Sequence, residues 1–221
     1  MGTPMGFHRV LRAGALALAG FVLIACDPAT MAAMSGGSPS RARVTVAGRP
    51  VVIAAPPGFC IDAPSTTTTT AGAFVLMSDC TLLGQQGTRN RAAPVGTALT
   101  ASVSSGGLGG EGDDEAATLD DLEGFLDTAD GRALVGRSGR ADRVRILSKQ
   151  QKGDVLYVLV EDRGQQPIAG IDPRFWRAFL EVNGRMTVLS VIGFEGTGPG
   201  LQDALNELAA AAAAIRAANP A

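Results

Sequence analysis

Phe175-Trp-Arg-Ala-Phe-Leu-Glu-Val182, then Asn183-Gly184, and after Arg185 Met186-Thr-Val-Leu-Ser-Val-Ile-Gly-Phe194, is the stretch that decides the fold. Two runs rich in β-branched and aromatic residues flank an Asn-Gly dipeptide. Both residues of that dipeptide tolerate the positive φ that a two-residue hairpin turn demands, so the stretch predicts a β-hairpin. Alternate side chains of a strand point to opposite faces. Trp176, Ala178, Leu180 and Val182 then share one face, and Phe175 and Phe179 fall on the other. Both faces carry apolar groups, which predicts a sheet covered on at least part of each side.

Working outward, Val144–Leu147 and Val155–Val160 surround the turn signal Lys152-Gly153-Asp154 and extend the hairpin into a meander. Further upstream, Ala98–Val103 alternates as a half-buried strand, and Ala73–Met77 and Phe59-Cys60-Ile61 are strand-like. Arg43–Ala47 and Val51–Ala54 flank Gly48-Arg49-Pro50, predicting a further hairpin, and the threonine run Thr66–Thr70 suits a solvated loop or strand edge. Thr118-Leu-Asp-Asp matches the capping-box pattern. Leu119, Leu122, Phe125, Leu126 and Ala129 follow at helical spacing on one face, with the helix ending near Gly131. Pro199 opens a C-terminal helix whose Leu201, Leu205, Leu208, Ala212 and Ile215 form an apolar stripe. Strands, helix, antiparallel strands, helix: this order predicts a single α+β domain over 44–219, an antiparallel β-sheet with a middle helix and a C-terminal helix packed on it.

Gly58-Phe59-Cys60-Ile61-Asp62-Ala63-Pro64 resembles the Gly-Phe-x-Ile-x-x-Pro opening of PsbP-like and Mog1-like domains. The resemblance implies a middle helix, a strand meander and a closing helix. It also implies a role of the kind those domains mostly have, as non-enzymatic assembly or binding factors. The chain departs from the pattern in its Cys60/Cys80 pair and its glycine-rich insert, and no functional residue of that group carries over.

The amino terminus reads as an address. His8, Arg9 and Arg12 precede Ala13–Ala25, an uncharged apolar run that is too short to span a bilayer and has the build of a secretory signal peptide over 1–25. Leu23-Ile24-Ala25-Cys26 resembles a bacterial lipobox. The resemblance implies cleavage before Cys26, acyl chains on its sulfur and new amino terminus, and attachment to the membrane through them. Each buried methylene contributes about 0.8 kcal/mol, enough in sum for anchoring without a spanning helix. Asp27 resembles the inner-membrane retention signal of enteric lipoproteins, so the expected location is the periplasm-facing side of the inner membrane. Residues 26–43, rich in Ala, Ser, Gly, Met and Pro, then read as lipidated cysteine and flexible tether. The 17 residues after Cys26 would span roughly 20–25 Å end to end.

This address decides much of the chemistry. Removing the first 25 of 221 residues leaves 196 and takes away His8, the one histidine of the chain. It also takes Arg9 and Arg12 from the 19 basic residues, leaving 17 against 21 acids, a net charge of −4. Without histidine, Ser/His/Asp hydrolysis, Cys/His proteolysis and histidine-ligated metal centres are excluded, and the acidic balance argues against nucleic acid. With Cys26 acylated, Cys60 and Cys80 remain as an even pair in an oxidising compartment. They predict a structural disulfide that contributes roughly 3 kcal/mol on the chain-entropy model, and leave no free thiol.

Few other candidates remain. Gly106–Gly112 lacks the Lys-Ser/Thr of a phosphate loop, and Glu111, Asp113, Asp114 and Glu115 would repel phosphate. Those acids, in a glycine-rich loop over 104–117, lack EF-hand spacing, and their place before a helix N-terminus explains them; calcium stays an open alternative. Arg132, Arg137, Arg140, Arg143 and Arg145 form a basic run that anionic lipid or an acidic partner could meet, with Asp120, Asp121, Glu123 and Asp127 as a simpler balance. No cofactor or metal is expected. The expected function is a membrane-anchored, non-enzymatic binding or assembly factor with an envelope protein as partner. The alternatives are a carboxylate-dependent periplasmic hydrolase, marked by converging acids in a cleft, and a small apolar-ligand carrier, marked by a closed cavity between sheet and helix.

Overall fold

The computed structural model describes residues 39–84, 93–108 and 118–220, all within the unit Gly36–Ala221. Nine strands run in chain order: β1 (Arg41–Val46), β2 (Arg49–Ala54), β3 (Phe59–Thr68), β4 (Gly72–Asp79), β5 (Thr97–Ser104), β6 (Val144–Lys152), β7 (Val155–Asp162), β8 (Arg174–Val182) and β9 (Arg185–Gly193). The helices α1 (Leu119–Phe125) and α2 (Ala129–Val135) lie between β5 and β6, a 3₁₀ turn (Ala141–Arg143) precedes β6, and α3 (Leu201–Ala218) closes the chain. The domain is α+β: β3 to β9 form one antiparallel seven-stranded sheet in the order β3-β4-β5-β9-β8-β7-β6, and β1-β2 forms a separate ribbon.

The deciding hairpin forms as its turn chemistry requires. Asn183 and Gly184 take φ of 52° and 69°, and Val182 opposes Arg185. Strand alternation then splits β8. Trp176, Ala178, Leu180 and Val182 join the core under α3 with Leu205, Leu208 and Ile215, and Phe175 and Phe179 join a second core with Leu119, Leu126 and Val135 of the α1/α2 region. At 4.9 Å between Cα atoms, the Cys60–Cys80 disulfide staples β3 to the end of β4. The threonine run ends β3, an edge strand whose register shifts between Asp62 and Thr67 around Pro64.

Four expectations are corrected. The first hairpin turns at Ala47-Gly48, with φ of 44° and 76°, and not at Gly48-Arg49-Pro50. Arg49 and Pro50 already pair with Val46 and Thr45 in β2. Arg41–Arg43, expected in the tether, belong to β1 and pair with Val52–Ala54. Pro199 lies one residue before the N-cap of α3, which is Gly200. The middle helix is two helices. Asp121 Oδ2 accepts from the Thr118 backbone N–H at 2.8 Å, completing the expected capping box. Thr128 then caps again, its hydroxyl accepting from Gly131 N–H at 3.0 Å and donating to Phe125 O at 2.8 Å. A Cβ on Gly131 would collide with Phe125 O, so the close restart depends on glycine. Of the expected stripe, Leu119 and Leu126 are buried, whereas Phe125 is 41% exposed and Ala129, which opens the second helix, faces solvent.

The closing helix is tied at both ends. Trp176 Nε1 donates to Leu201 O at 2.9 Å. Asn219 donates to Ile215 O and Val52 O, both at 2.7 Å, and accepts from Val52 N–H at 2.9 Å, joining the end of α3 to β2. Asn183 of the deciding turn donates to Pro50 O at 2.9 Å, locking the two hairpins together.

Candidate functional site

The α1/α2 face of the sheet is assembled from three strands in register. Arg177 of β8 opposes Ser190 of β9, which opposes Thr100 of β5; the next row is Phe179, Val188 and Ser102. The short helices contact β6 and β7. They leave a cleft of ≈ 680 Å³ over β8, β9 and β5, walled by Leu122, Phe125 and Leu134 from the helices and Leu108 and Met186 from the opposite end. Phe125 and Leu134 are exposed large apolar side chains on its rim, 41% and 60% accessible. Phe125, the last residue of α1, reaches the cleft from the side of the helix away from the buried Leu119 and Leu126.

Arg177 is the cation of this cleft. Burial pushes its pKa down to about 10, with Asp162 pulling it back up, so the guanidinium is charged at neutral pH. Its Nη1 and Nη2 reach Leu134 O and Gly136 O at 3.5 and 3.4 Å, its Nε has no partner, and it forms no ion pair with any described carboxylate. The guanidinium lies 5.6 Å from the centroid of the Phe175 ring, which Arg137 covers at 3.6 Å. Beside it, Ser190 is 8% exposed and its hydroxyl also lacks a partner.

A second, polar cleft of ≈ 550 Å³ lies at the β6–β7 end, lined by Arg137, Arg140, Arg143, Arg163 and Gln166 among others. Its scaffold is Asp162, fully buried at the end of β7. The carboxylate accepts from Arg137 N–H and Ser138 N–H at 2.7 Å, and from Ser138 Oγ and Gly164 N–H at 2.8 Å. Burial alone would raise its pKa; these hydrogen bonds outweigh burial and hold it below the usual carboxylate value. The arginines are already engaged. Arg140 and Arg143 share Asp142 at 2.9 and 3.4 Å, and Arg163 meets Glu161 at 3.0 Å. Arg137 donates to Asp172 O and Val191 O at 3.0 Å, and burial lowers its pKa to about 10.

The basic run is thus partly gathered: Arg137, Arg140 and Arg143 line the polar cleft, joined by Arg163 from a distant loop. Arg132 instead donates to Asp127 O at 2.6 Å, and Arg145 pairs with Glu161 in the β6–β7 register. The acids expected to balance the arginines do not meet them. Asp127 and Glu123 face Lys149 of β6 at 2.9 and 3.6 Å, and Asp121 serves the cap, because the α1–α2 segment reaches across β6. Cys26, Asp27 and the acids Glu111, Asp113, Asp114 and Glu115 lie outside the described residues. Among the described residues no cluster of three His, Cys, Asp or Glu could hold a metal ion, and no helix is long and apolar enough to cross a membrane. Every described carboxylate with a resolved shift is shifted down. Burial opposes this at Asp79 and Asp162 and is outweighed by their hydrogen bonds, and Asp121 and Asp142 are lowered by hydrogen bonds from Thr118 and Arg140.

Arg177, Ser190 and Thr100 are the cleft residues that reading along the chain passes over. The signal available is one of period: Arg177 falls between Phe175 and Phe179 on an apolar face. The chain matches no protein-family model, no curated protein and no solved structure.

Proposed function

We propose that the chain is a lipid-anchored lipoprotein of the bacterial envelope, held on the periplasm-facing side of the inner membrane by acyl chains on Cys26. Its α+β domain acts as a non-enzymatic binding factor through the cleft beside α1 and α2. The observation that carries this reading is the cleft itself: open, largely apolar, and walled by side chains from both helices and three strands. Hydrolysis by paired carboxylates needs two converging acids, one of them with a raised pKa. Asp121, the carboxylate in the cleft lining, is instead held down by its cap. The carrier alternative survives in altered form, as an open cleft between sheet and helices in place of a closed cavity. We also read the domain as a relative of PsbP-like and Mog1-like domains. The motif Gly58–Pro64 opens β3, and middle helices, meander and closing helix follow in the order that resemblance implies.

Two measurements test this reading. Cys26→Ser should release the full chain from membranes and leave an unprocessed leader; unchanged fractionation would sink the lipoprotein assignment. A photo-crosslinking residue at Leu134, on the cleft rim, should form adducts with an envelope component in cells. The same probe at Ile168, an exposed apolar position outside the cleft lining, should not. Equal yields at the two positions would refute the cleft as the binding site.

A further inference from the structure

The cleft has a polar end and an apolar body. Its floor begins with the in-register row Arg177, Ser190 and Thr100 and continues through Phe179 and Val188. A guanidinium that forms no ion pair and feels only the longer-range pull of Asp162 is costly to bury, and so is a hydroxyl without a partner. Here the two residues sit side by side on adjacent strands: Arg177 Nε and Ser190 Oγ are both buried and unpartnered, in residues that line the floor of one cleft with Leu122, Phe125 and Leu134. A wholly apolar ligand would leave both polar groups unmet and further desolvated. A cationic head placed at that end would be repelled by Arg177, and Asp121, the carboxylate of the lining, is taken up by the Thr118 cap. An acidic head on an apolar chain satisfies both ends, because a carboxylate or phosphate accepts charge-assisted hydrogen bonds from a guanidinium and a hydroxyl together.

We infer that this cleft binds a single-chain amphiphile with an anionic head, the head at Arg177 and Ser190 and the chain along Phe179, Val188 and the helix walls. The inference rests on the binding reading above and names the ligand class of that same site. A volume of ≈ 680 Å³ falls within the usual size of small-molecule sites, of order 300–1,000 Å³. The Arg177 charge is what discriminates: it distinguishes fatty carboxylates from alcohols of the same length, whereas the walls recognise both.

Calorimetric titration of the purified full chain in detergent-free buffer with decanoate, 1-decanol and decyltrimethylammonium tests this. Decanoate should bind at least about tenfold more tightly than decanol, and the cationic analogue should not bind measurably. Arg177→Gln should reduce decanoate to the affinity of decanol, and Ser190→Ala should weaken decanoate several-fold with little change for decanol. Leu134→Asp, at an exposed rim position that leaves the core intact, should weaken decanoate without lowering the melting temperature, even if Arg177→Gln fails to fold. Equal affinity for decanoate and decanol, or no binding of decanoate, overturns the inference. Crosslinking from Leu134 to an envelope protein without decanoate binding would likewise overturn it while leaving the anchored binding factor standing.

Discussion

The two faces of the seven-stranded sheet are made by the same strands and closed to different degrees. Under α3, the Trp176–Val182 face meets one uninterrupted helix of 18 residues, which at about 1.5 Å per residue runs roughly 27 Å across β8 and β9 to the β1–β2 ribbon. Leu208, Ala211 and Ile215 are fully buried there. The Phe175–Phe179 face meets α1 and α2, seven residues each and separated by the Thr128 cap. Two short helices cover β6 and β7 but not β5 and β9, and the uncovered remainder is the cleft. In this domain helix continuity, more than strand hydrophobicity, decides which sheet face closes as core and which keeps an open cleft.

Substitutions should separate the faces, and the largest effect belongs to the closed one. Leu208→Ala should cost about 3 kcal/mol in urea denaturation, from lost transfer energy and the cavity left behind. A loss under about 1 kcal/mol would mean that the α3 face is loosely packed. On the open face the strongest anchor is Asp162. Asp162→Asn should cost about 2 kcal/mol, because one acceptor oxygen of a buried carboxylate becomes a donor facing N–H groups. The folded-state pKa of Asp162 is depressed, so its contribution is present above the unfolded value near pH 4 and is lost as pH falls through the folded value. Wild-type stability should therefore drop below pH 4 more steeply than that of Asp162→Asn, which acid titration of the melting temperature would show.

Thr128→Ala addresses the break itself and should cost about 1 kcal/mol through loss of the second cap. Amide exchange of Gly131 should quicken while the α3 amides stay protected; slowed exchange would instead mean that α1 and α2 had fused. The smallest effect is expected at the rim. Leu134→Ala should change stability by less than about 0.5 kcal/mol. A loss comparable to that of Leu208→Ala would show that the open face is core after all.

Much of this architecture is legible along the chain. The Asn183-Gly184 turn, the division of β8 between two faces, the Thr118 cap and the stripe of α3 all follow from local chemistry, because each depends on residues within a turn or two of one another. Ala47-Gly48 was not legible as a turn, since alanine gives no hint of its positive φ and Pro50 draws attention one step too far along. The second cap at Thr128 was hidden by a run of apolar residues at helical spacing that also suits an unbroken helix. The basic run at Arg132–Arg145 was visible, but the acids nearest in sequence proved to face Lys149.

The sequence by itself determined the alternation of the strands, the hairpin turns that carry an Asn-Gly or Lys-Gly-Asp signal, and the Cys60/Cys80 pair that closes as a disulfide. These are properties of neighbouring residues, fixed by backbone sterics and side-chain chemistry. Only the tertiary structure decided that Arg177, Ser190 and Thr100 form one row, that Arg163 joins Arg137, and that two short helices leave part of a sheet face open. Strand order and helix placement bring together residues as far apart as Thr100 and Ser190, and no local period encodes which strands become neighbours.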